Sequence, residues 1–316
     1  MQFVILTDTH FVHAGCRLYG LDPAYRLSRA LELIRQDHPD IAFIIITGDL
    51  AHRGETAAYE HLRAVLAEAS APAYLVLGNH DRRRPFWHVF PDAGNADHGF
   101  RQDVKIFADF TMILLDTLNE DEPTHSGLLC SERLAFLETS LNEAPLDRPI
   151  LLFQHHPPFD IGIPSMDAIK LSNADDELAV MMRTRKPDYL FIGHVHRPVS
   201  GHWHGIPFHI QRAINHQVAL DMTTAEFIPG THEAPDYSLV SVNRDDIIIH
   251  QCSFLYNGPV FNLFDQAAAE APWWWAGIIA APLSGLVRVI ILIILANIRA
   301  GFICLRVLNL SVVIIP

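Results

Sequence analysis

Acidic residues are missing from this 316-residue chain after Glu270, and no pair of its cysteines has C-x-x-C spacing. Cys16, Cys130, Cys252 and Cys304 are scattered, a pattern that excludes a disulfide framework and a zinc knuckle and suits reduced structural thiols. The N-terminus lacks a basic stretch followed by an apolar core and a cleavage site. Gln2 to Leu6 is strand-like instead, so no removable signal is expected and the expected location is the cytoplasm. Basic residues are scarce: 20 Lys and Arg face 36 Asp and Glu before residue 271, a net charge of −16. An acidic body excludes nucleic-acid polymers as partners, because binding them relies on Lys and Arg neutralising phosphates. Small phosphate esters stay open, since bound cations can supply positive charge locally.

Half of the residues are hydrophobic and the mean hydropathy is +0.17, enough for one large α/β core with a small appendage. Strand-like runs at 3–7, 41–47 and 73–77 alternate with helical patterns at 23–36 (Leu27, Ala30, Leu31, Ile34) and 56–69 (Tyr59, Leu62, Val65, Leu66). That alternation predicts right-handed crossovers and a mainly parallel inner sheet. Asp103–Phe107 and Thr111–Leu115 form a hairpin-like pair, followed by a helix at 131–142 capped by Ser131. Strands at 149–154 and 187–192 flank a helix at 174–184, and 206–212, 237–242 and 246–252 are expected as late antiparallel strands. There is no internal repeat. The expected architecture is two sheets face to face, helices outside, and the polar loops gathered at one edge.

Five short polar motifs each follow an apolar run: Asp8-Thr9-His10, Gly48-Asp49, Gly78-Asn79-His80-Asp81, His155-His156 and Gly193-His194-Val195-His196. Taken singly, Asp8 or Asp49 is as readily a turn residue, and His155 a partly buried histidine. Jointly they bring oxygen and imidazole groups from several strand ends to one place, which is what a two-metal hydrolytic site needs. Asp8 and His10 are two residues apart, so an extended backbone places them on one face. Asp49 follows a glycine that permits a sharp turn, and its two oxygens can bridge two ions. Mixed nitrogen and oxygen donors suit Zn, Mn, Fe or Co rather than Ca.

This set resembles the calcineurin-like metallophosphoesterases, whose ordered pattern D-x-H, G-D, G-N-H-D/E, H, G-H-x-H is present without substitution. The resemblance covers roughly residues 1–260 and implies a four-layer α/β/β/α sandwich of two mixed sheets flanked by helices. It implies that Asp8, His10, Asp49 and His196 hold one divalent ion, and Asp49, Asn79, His155 and His194 the other. Within the superfamily the chain is similar to the class III cyclic-nucleotide phosphodiesterases and bacterial glycerophosphodiesterases. That closer likeness rests on Thr7–Phe11 with Leu18-Tyr19-Gly20, on His155-His156-Pro157-Pro158 with Met166-Asp167, and on Asn215-His216-Gln217-Val218.

The activity this implies is hydrolysis of a small phosphodiester, with cyclic nucleotides (3′,5′ or 2′,3′) ahead of glycerophosphodiesters. A phosphomonoesterase and a non-catalytic metal-binding scaffold are the weaker readings. By the same resemblance His80 is no ligand but a catalytic and substrate-binding group that helps protonate the leaving oxygen. Asp81 is expected behind the site, orienting a histidine, with a simple turn cap as the alternative. His216 is the substrate-side candidate, and Tyr19 lines the mouth or a subunit contact. His156 is turned away by alternation; His52, His202, His204 and His209 are expected at the surface or behind the ligands. Arg82-Arg83-Arg84 is expected as a solvated face.

The body is expected to span residues 1–265 and an apolar helical tail residues 266–316. Trp273-Trp274-Trp275 leads into a run whose only charges are Arg288, Arg299 and Arg306. On a helix these arginines share one narrow stripe, with Leu, Ile and Val on the other faces. Three readings compete: peripheral association with the inner membrane face, supported by the tryptophans; subunit packing in a homo-oligomer; and a non-native segment. Pro282 and Arg288 interrupt the first apolar stretch and argue against a clean transmembrane span.

Overall fold

Side-chain alternation along short apolar strands builds the centre of the molecule. In β1 (Gln2–Leu6), Phe3 and Ile5 join one buried cluster while Val4 and Leu6 join another. In β6 (Ile150–Gln154), Leu151 and Phe153 join the same cluster as Phe3, whereas Ile150 and Leu152 join a third. The shared cluster is the seam between two sheets. Phe3 stacks on Phe43 with ring centroids 4.7 Å apart, Phe153 stacks on Phe191 at 4.8 Å, and Phe3 meets Phe153 edge-on at 6.0 Å. The computed structural model describes residues 1–94, 99–121 and 124–264, and residues 1–256 form one compact unit.

In the first sheet β1 pairs parallel with β2 (Ile44–Thr47), which pairs parallel with β3 (Ala73–Val76). On its other side β1 pairs antiparallel with β12 (Asp236–Val242), which pairs antiparallel with β13 (Ile247–Ser253), giving the order β13-β12-β1-β2-β3. The second sheet contains β4 (Asp103–Ile106), β5 (Thr111–Leu114), β6, β7 (Tyr189–Ile192), β8 (Val199–Trp203) and β9 (Ile206–Ile210), ordered β4-β5-β6-β7-β9-β8. Both sheets are mixed. A two-stranded ribbon, β10 (Gln217–Val218) with β11 (Gly230–Thr231), stands apart.

Helices cover the outer faces. α1 (Pro23–Asp37) and α2 (Thr56–Leu66) turn Leu27, Leu31, Ile34, Leu62 and Val65 onto the outer face of β1 and β2. α1 begins cleanly because the Asp22 carboxylate accepts from the N–H groups of Ala24 and Tyr25 and Pro23 opens the first turn. α4 (Ser131–Glu143) and α6 (Ala174–Arg183) turn Leu137, Leu141, Val180 and Met181 onto β6 and β7. The short α3 (Arg83–Val89) and α5 (Pro164–Asp167) complete the helices among the described residues.

Several elements differ from expectation. Residues 83–89 are helical, although seven residues with Pro85 in the first turn show too little periodicity to reveal it. β8 was also unexpected, as its run Val-Ser-Gly-His-Trp is mostly exposed. β9 is not purely antiparallel: it runs parallel to β7 and antiparallel to β8. Ser131 does not cap α4; Cys130 holds the cap position with no side-chain bond, and the Ser131 hydroxyl donates to Glu132. The expected tail lies outside the described residues, and no helix among the described residues is long and apolar enough to cross a membrane.

Candidate metal centre

Every motif sits where a parallel strand ends: Asp8 and His10 after β1, Asp49 after β2, Asn79 and His80 after β3, His155 after β6, His194 and His196 after β7. The two sheets thus contribute to one edge. The loops are tightly nested, because a Cβ on Gly78 would strike the Asp49 carboxylate and one on Gly193 the Thr7 hydroxyl. The backbone there is unusual. Asp8, His10, Asp49, His194 and His196 all have positive φ, between 46° and 69°, a region that side chains other than glycine's rarely occupy. The expected extended geometry of Asp8 and His10 is therefore wrong in detail. They converge through left-handed turns, with His10 Nε2 3.9 Å from Asp8 Oδ1.

Two acceptor clusters share Asp49. In the first, Asp8, His10, Asp49 and His196 each offer one ligand atom within a span of 4.8 Å. His10 Nε2 lies 3.1 Å from His196 Nε2 and 3.5 Å from Asp49 Oδ2, and His196 Nε2 lies 3.2 Å from Asp8 Oδ1. In the second, Asn79 Oδ1 is 3.1 Å from His155 Nε2 and 2.8 Å from His194 Nδ1, while Asp49 Oδ1 is 3.4 Å from His155 Nε2. The Asp49 oxygens therefore face different clusters.

Tautomers test whether cations fit. His155 Nδ1 donates to the Thr47 carbonyl at 2.8 Å and His196 Nδ1 to the His216 carbonyl at 2.7 Å. Each Nε2 of the neutral ring then turns a lone pair toward other acceptors, an arrangement that is repulsive unless positive charge sits between them. Asp8 Oδ1 and His194 Nε2 are buried without a hydrogen bond. The charges around these rings make the same demand. Burial lowers the His155 pKa, but Asp49 and Asp8 outweigh it and raise the ring to about 9. His196 is likewise raised, by Asp8 against burial. His10 and His194 are held well below the usual histidine range, first by burial. The donor set fits two divalent ions.

The remaining residues frame these clusters. The His80 N–H donates to Asp49 Oδ1 at 2.9 Å, and its ring Nδ1 donates to the His52 carbonyl at 2.7 Å, which leaves Nε2 free. Asp81 does not orient a histidine. It accepts from the N–H groups of Leu50, Ala51 and Gly78 at 3.1, 3.0 and 2.8 Å and from the Tyr59 hydroxyl at 2.9 Å, which ties the Asp49 loop to the Asn79 loop. His216 lies beside the first cluster, its ring 4.8 Å from His10 and 4.7 Å from Tyr19, and burial followed by His196 pushes its pKa down to about 2. His156 is turned aside, bonded to Thr117 and the His125 carbonyl.

A cavity of about 480 Å³ opens over the clusters. Sequence reasoning missed His125, Ile169, Ile228 and His232 among its lining, since each stands alone outside any motif; Met166 was noted only for its part in the family likeness. His52, expected at the surface or behind the ligands, lines the cavity and stacks on His80 at 5.0 Å. His202 and His204 are exposed, whereas His209 is buried near Ser200 and Ser238. Arg83 is not part of a solvated face: it grips Asp116 through two bonds of 2.9 and 2.8 Å and Glu120 at 2.8 Å.

The chain belongs to the calcineurin-like phosphoesterase family, whose pattern matches residues 1–198, and members of that family use a binuclear divalent metal centre. It is 60% identical over 268 residues, 85% of this chain and 98% of the relative, to a probable cyclic nucleotide phosphodiesterase of Rhodopseudomonas palustris. It is 30% identical over 233 residues, 72% of this chain and 85% of the relative, to a probable glycerophosphodiester phosphodiesterase of Arcobacter nitrofigilis. Among solved structures, a dimetal phosphatase from Danio rerio superposes with a TM-score of 0.60 at 13% identity, covering 80% of this chain and 96% of that one, a likeness of fold alone.

Proposed function

We propose that this phosphoesterase hydrolyses cyclic nucleotides, with Asp8, His10, Asp49 and His196 holding one divalent ion and Asp49, Asn79, His155 and His194 the other. The carrying observation is Asp49, whose two oxygens face the two clusters at 3.5 and 3.4 Å. Divalent ions held by these residues would supply positive charge to the phosphate oxygens and would lower the pKa of a water. Imidazoles together with carboxylate and amide oxygens suit Mn, Fe, Zn or Co.

The chain's own groups position and protonate. His80 Nδ1 is committed to the His52 carbonyl, so Nε2 is the atom available to pass a proton to the leaving oxygen. His216 and Tyr19, 4.7 Å apart, flank the phosphate's approach. Asp81 acts behind the ligands by holding their loops. Cyclic nucleotides are favoured by the relative that is 60% identical, and glycerophosphodiesters are the second reading because a relative so named shares 30%. Metal-loaded protein should be assayed against 3′,5′- and 2′,3′-cyclic nucleotides and glycerophosphodiesters. Preferred turnover of a glycerophosphodiester would reverse the order, and hydrolysis that survives complete metal removal would end the reading.

The domain boundary belongs to the same proposal. The proposed ligands, His80 and His216 precede residue 217 and the described cavity lining ends at His232, so residues 1–265 constitute the catalytic body. Residues 266–316 then act in placement, at a membrane surface or between subunits, and the body works in the cytoplasm.

A further inference from the structure

The cavity over the clusters has walls of two kinds. Part of its lining is imidazole and ligand side chains; another part is apolar, from Met166 of α5, Ile169 just after it, Val218 of β10 and Ile228 in the loop entering β11, with Tyr19, Gln217, Gly230 and Thr231 between. This apolar part is a fixed surface. Met166 and Val218 form a satellite core with Ile163, and Ile169 packs against it. The β10–β11 ribbon is tied down where it meets the body: the Val218 carbonyl accepts from Arg197 Nη1 at 2.8 Å, and His232 Nε2 donates to the Tyr19 carbonyl at 3.0 Å. Ile228, at the rim, is 48% exposed.

We propose that this wall receives the nucleobase, and that Ile169 and Ile228 are specificity-determining residues. The proposal rests on the cyclic-nucleotide reading above. The cavity lies within the range of about 300–1,000 Å³ typical of small-molecule sites. A phosphodiester carries one negative charge, and that charge belongs at the metal clusters. Among the described lining residues there is no Lys, Arg or Glu, and the single carboxylate, Asp49, belongs to the clusters. The ammonium head of a glycerophosphodiester would find no counter-charge there. A bare glycerol would have only Tyr19, Gln217 and Thr231 outside the imidazoles and ligands to bond its hydroxyls, and would leave Met166, Ile169, Val218 and Ile228 uncovered. A base presents a neutral, flat apolar face, which matches the wall and leaves its polar edge toward the open rim.

The test compares two substrates with the full chain loaded with Mn²⁺: 3′,5′-cyclic AMP and methyl ribofuranoside 3,5-cyclic phosphate, which keeps sugar and cyclic diester but has no base. The native chain should prefer the nucleotide in kcat/KM by about tenfold or more, the scale of burying one apolar face. Ile228→Ser and Ile169→Ser should each lower that ratio at least about threefold, mainly through KM, and the double variant should bring it near unity. Adenosine should compete with substrate in the native chain and lose that competition in the double variant. Ile228 is half exposed and Ile169 partly so, and an unchanged melting temperature and metal content confirm that the variants are folded. Cyclic AMP hydrolysis with the same ratio in native and folded variant chains overturns the wall while the functional reading stands. Preferred turnover of glycerophosphoethanolamine over both cyclic phosphates overturns that reading, and the wall with it.

Discussion

The Tyr59 hydroxyl donates to Asp81 Oδ1 at 2.9 Å, so a buried helix residue holds the carboxylate that in turn holds three N–H groups of the ligand loops. Tyr59→Phe removes one of the carboxylate's four bonds, together with the bond the hydroxyl accepts from the Arg82 N–H, and should destabilise the fold by about 1–2 kcal/mol, with metal content retained. Asp81→Ala strands three buried N–H groups and should cost more than Tyr59→Phe and weaken metal affinity. Urea unfolding together with elemental analysis checks both. Equal effects from the two variants would show that the loops do not depend on this carboxylate.

Chelation should abolish hydrolysis, and Mn, Co or Zn should restore it. Among ligand variants, Asp49→Ala should be the most damaging, with loss of both ions and at least about a thousandfold of activity, beyond the 10–100-fold typical of groups behind a ligand. Metal stoichiometry gives the answer, and retention of one ion at full occupancy would contradict the bridging role.

His80→Ala should leave metal content nearly intact and lower kcat by about 10²–10⁴-fold. The loss should shrink for substrates with good leaving groups such as nitrophenolate, because less protonation is then needed. Loss of both ions would reassign His80 as a ligand.

Glu177 on α6 is fully buried, and neither of its carboxylate oxygens has a hydrogen bond. Burial pushes its pKa from 4.5 up to about 8, with Gln154 beside it pulling the other way. The folded state therefore holds a proton that the unfolded state releases above pH 4.5. This group's contribution is fully present below that pH and is lost as pH rises toward 8. Glu177→Gln should flatten the fall and raise stability at pH 8 by on the order of 1–3 kcal/mol, with little effect at pH 4.5. Paired melting curves across pH 4.5–8 provide the measurement.

A chain ending near Gln266 should keep its specific activity, because the proposed metal ligands, His80 and His216 lie before residue 217 and the described cavity lining ends at His232. The full chain should sediment with liposomes and the shortened one should not, since an acidic body is repelled by anionic lipid while Trp273–Trp275 and the basic Arg288, Arg299 and Arg306 favour an interface. Equal liposome binding removes the anchor. A fall from oligomer to monomer on shortening makes the tail a packing segment.

The motif residues were legible in the sequence because each lies within four residues of another and directly follows an apolar strand. The proposal that Asp49 bridges rests, in the sequence, only on its glycine neighbour and the count of donors. The left-handed backbone of Asp8 and His10 was hidden, since spacing alone assigns an extended strand. His125 and Ile228 were hidden for another reason: a lone histidine or isoleucine in a loop carries no pattern, and only the tertiary fold brings it to the cavity. Asp81 was legible as a residue behind the ligands, but its partners are backbone groups that no side-chain pattern announces. Arg83 looked like one of three solvated charges until Asp116, 33 residues away, was found against it.

At Asp8, His10, Asp49, His194 and His196 glycine would adopt the observed backbone freely, whereas the residues present accept a penalty of roughly 1 kcal/mol or more each. Drift toward a sturdier protein therefore runs through glycine at these five codons, and a descendant that took that path would keep its sandwich and lose its chemistry. Robust folding and turnover pull against each other at the same positions, and only selection on the reaction keeps Asp and His in place.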